Sequence, residues 1–208
     1  RKARAIGQSS HKIWTLKYIL DTYLNDRQNI SVLDCGAWNG WLLSYQSPSI
    51  SHKVALDFDS HFARDMLNEG ISFVQADMEK GCFPFSSASF DLVTITSTIE
   101  HLFSPEQVAH EIHRVLRPNG IVFITTPNIL KYRFHFWDDI THKRPFTPGS
   151  LKFLFETHSF ETVDLVSYNH NLFIAGNLFP RAIHSLIMQF RGKAILYVGK
   201  KPQRQGNL

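Results

Sequence analysis

Three apolar runs in this chain end in an aspartate: ISVLDCG (30–36), KVALDFD (53–59) and ISFVQAD (71–77). A carboxylate at the end of a buried strand accepts from hydroxyl and amine donors, so Asp34, Asp57 and Asp77 are candidates to hold a polar ligand. Aspartate also caps helices and forms turns, and that use stays open for each of them alone. The first run leads into DCGAWNG (34–40), where Gly36 and Gly40 let the backbone approach a ligand closely. A helix after this loop would add free N–H groups. The loop lacks the Lys-Ser/Thr of a phosphate-binding loop, and Trp38 breaks G-x-G-x-x-G, so phosphate is not the indicated ligand.

Two histidines offer proton chemistry. His101 lies in STIEHLFSP (97–105) and His142 in WDDITHKRPFTPGSL (137–151). With an ordinary pKa near ~6.5, a histidine accepts a proton from a hydroxyl at neutral pH. Two quieter uses stay open: Glu100 and His101 brace a loop, and Asp138 and Asp139 pair with Lys143 or Arg144. Among the 11 histidines, His110 and His113 share a helical face near Glu106 and Glu111, but no H-E-x-x-H or C-x-x-C appears. No metal site is expected on that ligand count. No G-x-S-x-G elbow supports serine hydrolysis. Cys35 and Cys82 have no strongly cationic surroundings and read as structural.

The elements that must position these groups alternate between short apolar runs and helical spacing, which predicts an α/β fold with a mainly parallel sheet. An amphipathic helix is expected over 11–28, followed by strands at 30–36, 53–59, 71–77, 90–96 and 121–128. Helices are expected at 61–70, 104–120 and 147–160, with Ser104 and Thr147 as N-caps. Pro118 and Gly120 should end the second of these. Strands at 161–169 and 193–201 flank an apolar stretch at 171–192, with a helix at 178–190.

At 208 residues the chain reads as one domain, with a core over about 11–200, a lid loop at 128–147 and a disordered tail at 201–208. Hydrophobic residues at 43% and charged residues at 19% exclude whole-chain disorder and coiled coil. The net charge of +4 sits in the tails, at Arg1, Lys2, Arg4, Lys200, Lys201 and Arg204. Setting those six aside leaves 16 Lys+Arg against 18 Asp+Glu, so nucleic acid is an unfavoured partner. Two cysteines, no long apolar run and no charged-then-apolar leader point to a cytoplasmic location.

The order of these features resembles the class I S-adenosylmethionine-dependent methyltransferases over about residues 30–160. VLDCGAWNG is similar to their first motif, with Asp34, Gly36 and Gly40 matching and Trp38 replacing the central glycine. Asp57 stands where the family's acid binds the ribose hydroxyls, and Asp77, with Met78 beside it, where an acid meets the adenine amine. PFSSASFDLVTI and LRPNG are similar to the family's fourth strand and the turn before its fifth. The resemblance implies a Rossmann-like, doubly wound, seven-stranded, mostly parallel sheet whose last strand is antiparallel. It implies S-adenosyl-L-methionine as cofactor and S-adenosyl-L-homocysteine as product. Asp34, Gly36, Ala37, Gly40, Asp57, Phe58, Asp77, Met78 and Ser97 would form the cofactor site.

IEHL further resembles the small-molecule O-methyltransferases of the ubiquinone-biosynthesis type, and H-x-R-x-F-T their lid. That resemblance implies methyl transfer to a hydroxyl, with His101 as first base and His142 as second, and with Trp137 and Arg144 near the substrate. Ser97 replaces an acid of the metal-binding version, so metal is not expected. Trp38 either points away while its backbone keeps the loop, or narrows the pocket. The second case leaves a cofactor-binding or scaffold protein of the same fold. A nicotinamide-dependent dehydrogenase is the weaker rival, lacking G-x-G-x-x-G. The 171–192 stretch caps the pocket, packs in the core, forms a homodimer face or touches a membrane surface.

Overall fold

The computed structural model describes residues 10–168 and 192–203, with side chains from residue 15 onward. The apolar stretch at 171–192, except its last residue, and most of the 201–208 tail lie outside the described residues. Seven strands form one sheet in the order β3-β2-β1-β4-β5-β7-β6. They are β1 (Ile30–Cys35), β2 (Ile50–Asp57), β3 (Ser72–Gln75), β4 (Phe90–Thr96), β5 (Leu116–Pro127), β6 (Glu161–Tyr168) and β7 (Ala194–Lys200). Strands β1 to β5 pair in parallel, and β7 is antiparallel to both of its neighbours. This is the expected mostly parallel sheet.

All six residues of β1 are buried, as a central strand covered on both faces requires. Its side chains alternate between two cores. Leu33 and Cys35 join Val108, Ile112 and Val115 of helix α3 (Pro105–Val115). Ile30 and Val32 join Leu16, Ile19 and Leu20 of helix α1 (Ser10–Tyr23). Helices on opposite faces make the sheet doubly wound. Helix α2 (Ala63–Asn68) follows β2, and Met66 anchors it.

Local chemistry moves several boundaries. The loop after β1 does not lead into a helix: residues 41–44 form turns, and Pro48 lies just before β2. The connection is too short for a regular helix to form and return. Ser104 occupies the N-cap position of α3 without a side-chain cap bond; its N–H donates instead to Glu79 Oε1 at 2.6 Å. Pro118 does not end that helix, because Leu116 is already extended and LRPNG opens β5 around Asn119 at φ +63°. Thr147 does cap helix α5 (Pro148–Thr157), in a reciprocal capping box with Ser150. The 128–147 segment, expected as a lid loop, is not a plain loop: α4 (Ile129–Tyr132) and a 3-10 turn (Arg133–Asp138) run through it, with Phe136 buried.

Candidate functional site

Strands β2 and β4 flank β1 on opposite sides, so successive connections leave β1 in opposite directions and open a crevice at its carboxyl end. Gly36 and Gly40 line that end at φ +72° and +71°, a region that costs an L side chain energy. Space excludes a side chain as well. A Cβ on Gly36 would collide with the Thr98 side chain, and one on Gly40 would lie 2.7 Å from Met66 Cγ. Gly36 N–H donates to Leu56 O at 2.8 Å, tying the loop to β2.

Trp38 keeps the loop's left-handed shape at φ +48°, and its N–H donates to Asp57 Oδ2 at 2.8 Å. Its indole packs edge-on against Phe62, 5.8 Å between centroids, and is 57% exposed. Asp57 Oδ1 accepts from Asp59 N–H at 3.0 Å, so the carboxylate at the end of β2 is held from two sides. Asp34 is fully buried and accepts from Thr94 Oγ1 at 2.7 Å. Its Oδ2 is buried with no hydrogen-bond partner among the described residues. Burial pushes this carboxyl up to about 7, and the nearby Asp57 adds to the shift.

Asp77 lies two residues beyond β3, exposed, and accepts from Glu79 N–H at 3.0 Å with Lys80 Nζ at 3.1 Å. These bonds hold its carboxyl below the usual range. Met78 is buried beside it, Ala37 is buried in the loop, and Phe58 stands 74% exposed. Ser97, exposed at φ +49°, donates its N–H to Thr125 O at 2.9 Å.

The segment after β4 carries the site across to the lid. His101 N–H donates to Thr98 O at 3.0 Å, and Thr98 is the residue against Gly36. The His101 and His142 rings lie 4.9 Å apart, so the structure brings together two histidines 41 positions apart in sequence. Hydrogen bonds assign both tautomers. Thr141 Oγ1 donates to Asp139 Oδ1 at 2.6 Å, so His101 Nδ1, 3.0 Å from that hydroxyl, must be the donor to it. His142 Nδ1 lies 2.6 Å from Phe136 O, which only accepts. Each neutral ring thus keeps Nε2 as its basic nitrogen.

Glu100 lies beneath them, 1% exposed, accepting from Thr126 Oγ1 at 2.9 Å. Burial pushes its carboxyl up to about 7. Its main-chain carbonyl accepts from Lys143 and Arg144 N–H at 2.8 and 3.0 Å, latching the lid to this segment. Glu100, His101 and His142 each offer one ligand atom, all within 4.8 Å of one another. Glu100 and His101 are adjacent in sequence, and folding brings His142 to them. The acids of the lid do not pair with Lys143 or Arg144. Asp138 meets His135 at 3.0 Å, and Arg144 Nη1 meets Glu106 at 2.6 Å. Beside His110 and His113, Glu111 is engaged by Arg114 at 2.7 Å and Glu106 by Arg144. Cys35 is buried, while Cys82 is exposed.

Residues 33–124 match the family described as a methyltransferase domain. That stretch is similar to a methyltransferase domain. The match spans the glycine loop, the Asp57 strand end and the His101 segment. Over 149 residues the domain is 27% identical to a probable S-adenosylmethionine-dependent methyltransferase of Mycolicibacterium smegmatis, covering 69% of this chain and 57% of that one. Over 102 residues it is 30% identical to a malonyl-[acyl-carrier protein] O-methyltransferase of Enterobacter lignolyticus, covering 48% and 40%. The chain therefore spans about half the length of the curated relatives it matches. A methyltransferase structure from Bacillus halodurans superposes with a TM-score of 0.69 at 19% identity, covering 92% of this chain and 99% of that one.

S-adenosyl-L-methionine is the cofactor that this family and fold imply. The residues present fit it. The glycine loop leaves backbone open where a Cβ would block it, Asp57 is fixed in orientation, and Asp34 keeps a buried oxygen without a partner. Thr98, Thr126 and Thr141 are not signalled by the sequence, because their side chains act through contacts made between distant segments. Asp139, expected to pair with Lys143 or Arg144, instead accepts from Thr141.

Proposed function

We propose that this chain transfers the methyl group of S-adenosyl-L-methionine to a hydroxyl oxygen of a small molecule. The observation that carries the reading is the His101–His142 pair, 4.9 Å between rings, reached from the glycine loop through Thr98. Gly36, Ala37 and Gly40 would shape the loop around the cofactor. Asp57 would take the ribose hydroxyls, Asp77 the adenine amine with Met78 and Phe58 packing nearby, and Asp34 and Ser97 would border the methionine end.

When bound, the cofactor supplies a methyl group made electrophilic by a sulfonium sulfur. The work of this chain is then to align an acceptor oxygen with that carbon and to remove its proton. As the acceptor oxygen took up the methyl group, His101 Nε2 would take the hydroxyl proton. Thr141 holds the opposite face of the ring through Nδ1. His142 stands second in line, its ring stacked on Phe136 at 4.4 Å.

A second reading is favoured by the cluster of Glu100, His101 and His142. Three protein ligands suffice for an open divalent site, and a bound cation would lower the acceptor hydroxyl pKa directly. The two readings part on a simple comparison. Turnover on a panel of hydroxylated acceptors, followed as S-adenosyl-L-homocysteine release, should fall at least about 100-fold in His101→Ala. If a chelator abolishes it and zinc or magnesium restores it, the cation reading replaces the proton-transfer one. The 30% identity to a malonyl-[acyl-carrier protein] O-methyltransferase supports oxygen as the acceptor atom.

A further inference from the structure

The lid turns an unusual surface outward. Among the described residues, ten large apolar side chains are exposed, and four of them, Leu130, Phe134, Trp137 and Ile140, fall within one stretch of eleven. Phe134 is 88% exposed and Ile140 90%. A fifth exposed side chain, Phe103 at 72%, has its ring 5.2 Å from the Lys143 ammonium. A soluble domain rarely leaves so many aromatic and aliphatic groups together in water. The segment is nevertheless held in place, because Phe136 is buried between them and stacks on His142.

The charges among these groups have one predominant sign. Residues 129–144 hold four Lys+Arg against two Asp. Both acids are engaged within the segment, Asp138 by His135 and Asp139 by Thr141. Lys131, Arg133 and Lys143 are exposed and form no ion pair with the described residues. Lys193 extends the basic side, its ammonium 5.9 Å from the Tyr132 ring.

We propose that this lid face docks on the surface of an anionic lipid bilayer. Trp, Phe, Leu and Ile enter the headgroup boundary while Lys and Arg meet anionic headgroups, the arrangement that holds peripheral segments at an interface. A second copy of the chain is a poorer occupant. A two-fold contact would bring the cations of both copies into one interface, with both acids of each segment already engaged. No described helix is long and apolar enough to cross a membrane.

The test is co-sedimentation with vesicles of phosphatidylcholine and phosphatidylglycerol at 7:3, against phosphatidylcholine alone. The expected result is binding to the anionic vesicles, weaker by about tenfold or more on the neutral ones and at high salt. Leu130→Ser/Phe134→Ser/Ile140→Ser should lower binding by at least about tenfold, with circular dichroism and S-adenosyl-L-homocysteine affinity unchanged. Lys131→Glu/Arg133→Glu should remove the preference for anionic lipid. Three results overturn the proposal: no binding by the wild type, equal binding by the triple variant, or a micromolar dimer that the triple variant dissociates. None of these readouts depends on methyl transfer.

Discussion

His101 Nδ1 lies 3.0 Å from the Thr141 hydroxyl, and that hydroxyl is committed to Asp139 at 2.6 Å. A hydroxyl has one proton to give. The chain Asp139–Thr141–His101 therefore fixes the proton on Nδ1 and leaves Nε2 basic. Thr141→Val removes the acceptor for that proton. Imidazole nitrogen NMR at pH 8 should show His101 as the Nδ1–H tautomer in the wild type and as a mixture in the variant. The stability cost should stay within about 1 kcal/mol, because the bond is exposed.

The glycine loop makes opposite demands at two positions. Gly36→Ala puts a methyl group into Thr98 at φ +72° and should cost about 2 kcal/mol or more, read as a lower melting temperature. Trp38→Gly keeps the N–H that Asp57 accepts and relieves a left-handed side chain, worth about 1 kcal/mol, against the lost Phe62 contact. Its stability should barely move, and its S-adenosyl-L-homocysteine affinity should stay within about threefold by calorimetry.

Asp34 gives the fold a pH dependence with a definite sign. Burial raises its folded carboxyl from 3.8 to about 7, so between these values the folded state holds a proton that the unfolded chain has released. This group's contribution to stability is fully present below about pH 3.8 and is lost as pH rises from there through about 7. Asp34→Asn keeps an acceptor for Thr94 and carries no charge. Denaturant midpoints for the variant should fall less between pH 5 and 8 than those of the wild type.

The fold was legible because it is written in local patterns. VLDCG, VALDFD and FDLVTI read as buried strands ending at polar groups, and the sheet places all three ends along one edge. The missing helix after Gly40 was not legible, since WLLSY has helical apolar spacing and only the short return to Ile50 prevents it. Asp34, Asp57 and the histidines stood out by type and position. Glu100 appeared only as a neighbour of His101, yet folding makes it the buried acid beneath the site and the latch of the lid. The Arg144–Glu106 pair was equally hidden, joining the lid to the first turn of α3.

The loop that carries Asp77 depends on a clamp from α3. Arg114 binds Glu111 through two nitrogens, at 2.9 and 2.7 Å, and also donates to the carbonyls of Phe83 and Phe85. Arg114→Ala leaves the Glu111 carboxylate, which is 3% exposed, without its cation and with the Phe83 N–H at 2.7 Å as its donor. The expected cost is about 2–4 kcal/mol by urea denaturation, more than for Arg144→Ala, whose ion pair with Glu106 is exposed.

If the glycine loop and Asp57 form a working S-adenosyl-L-methionine site, calorimetric titration of S-adenosyl-L-methionine and S-adenosyl-L-homocysteine should give micromolar binding of both by the wild type. Both should be lost in a folded Asp57→Ala protein. A folded wild-type protein that binds neither cofactor nor product has no such site.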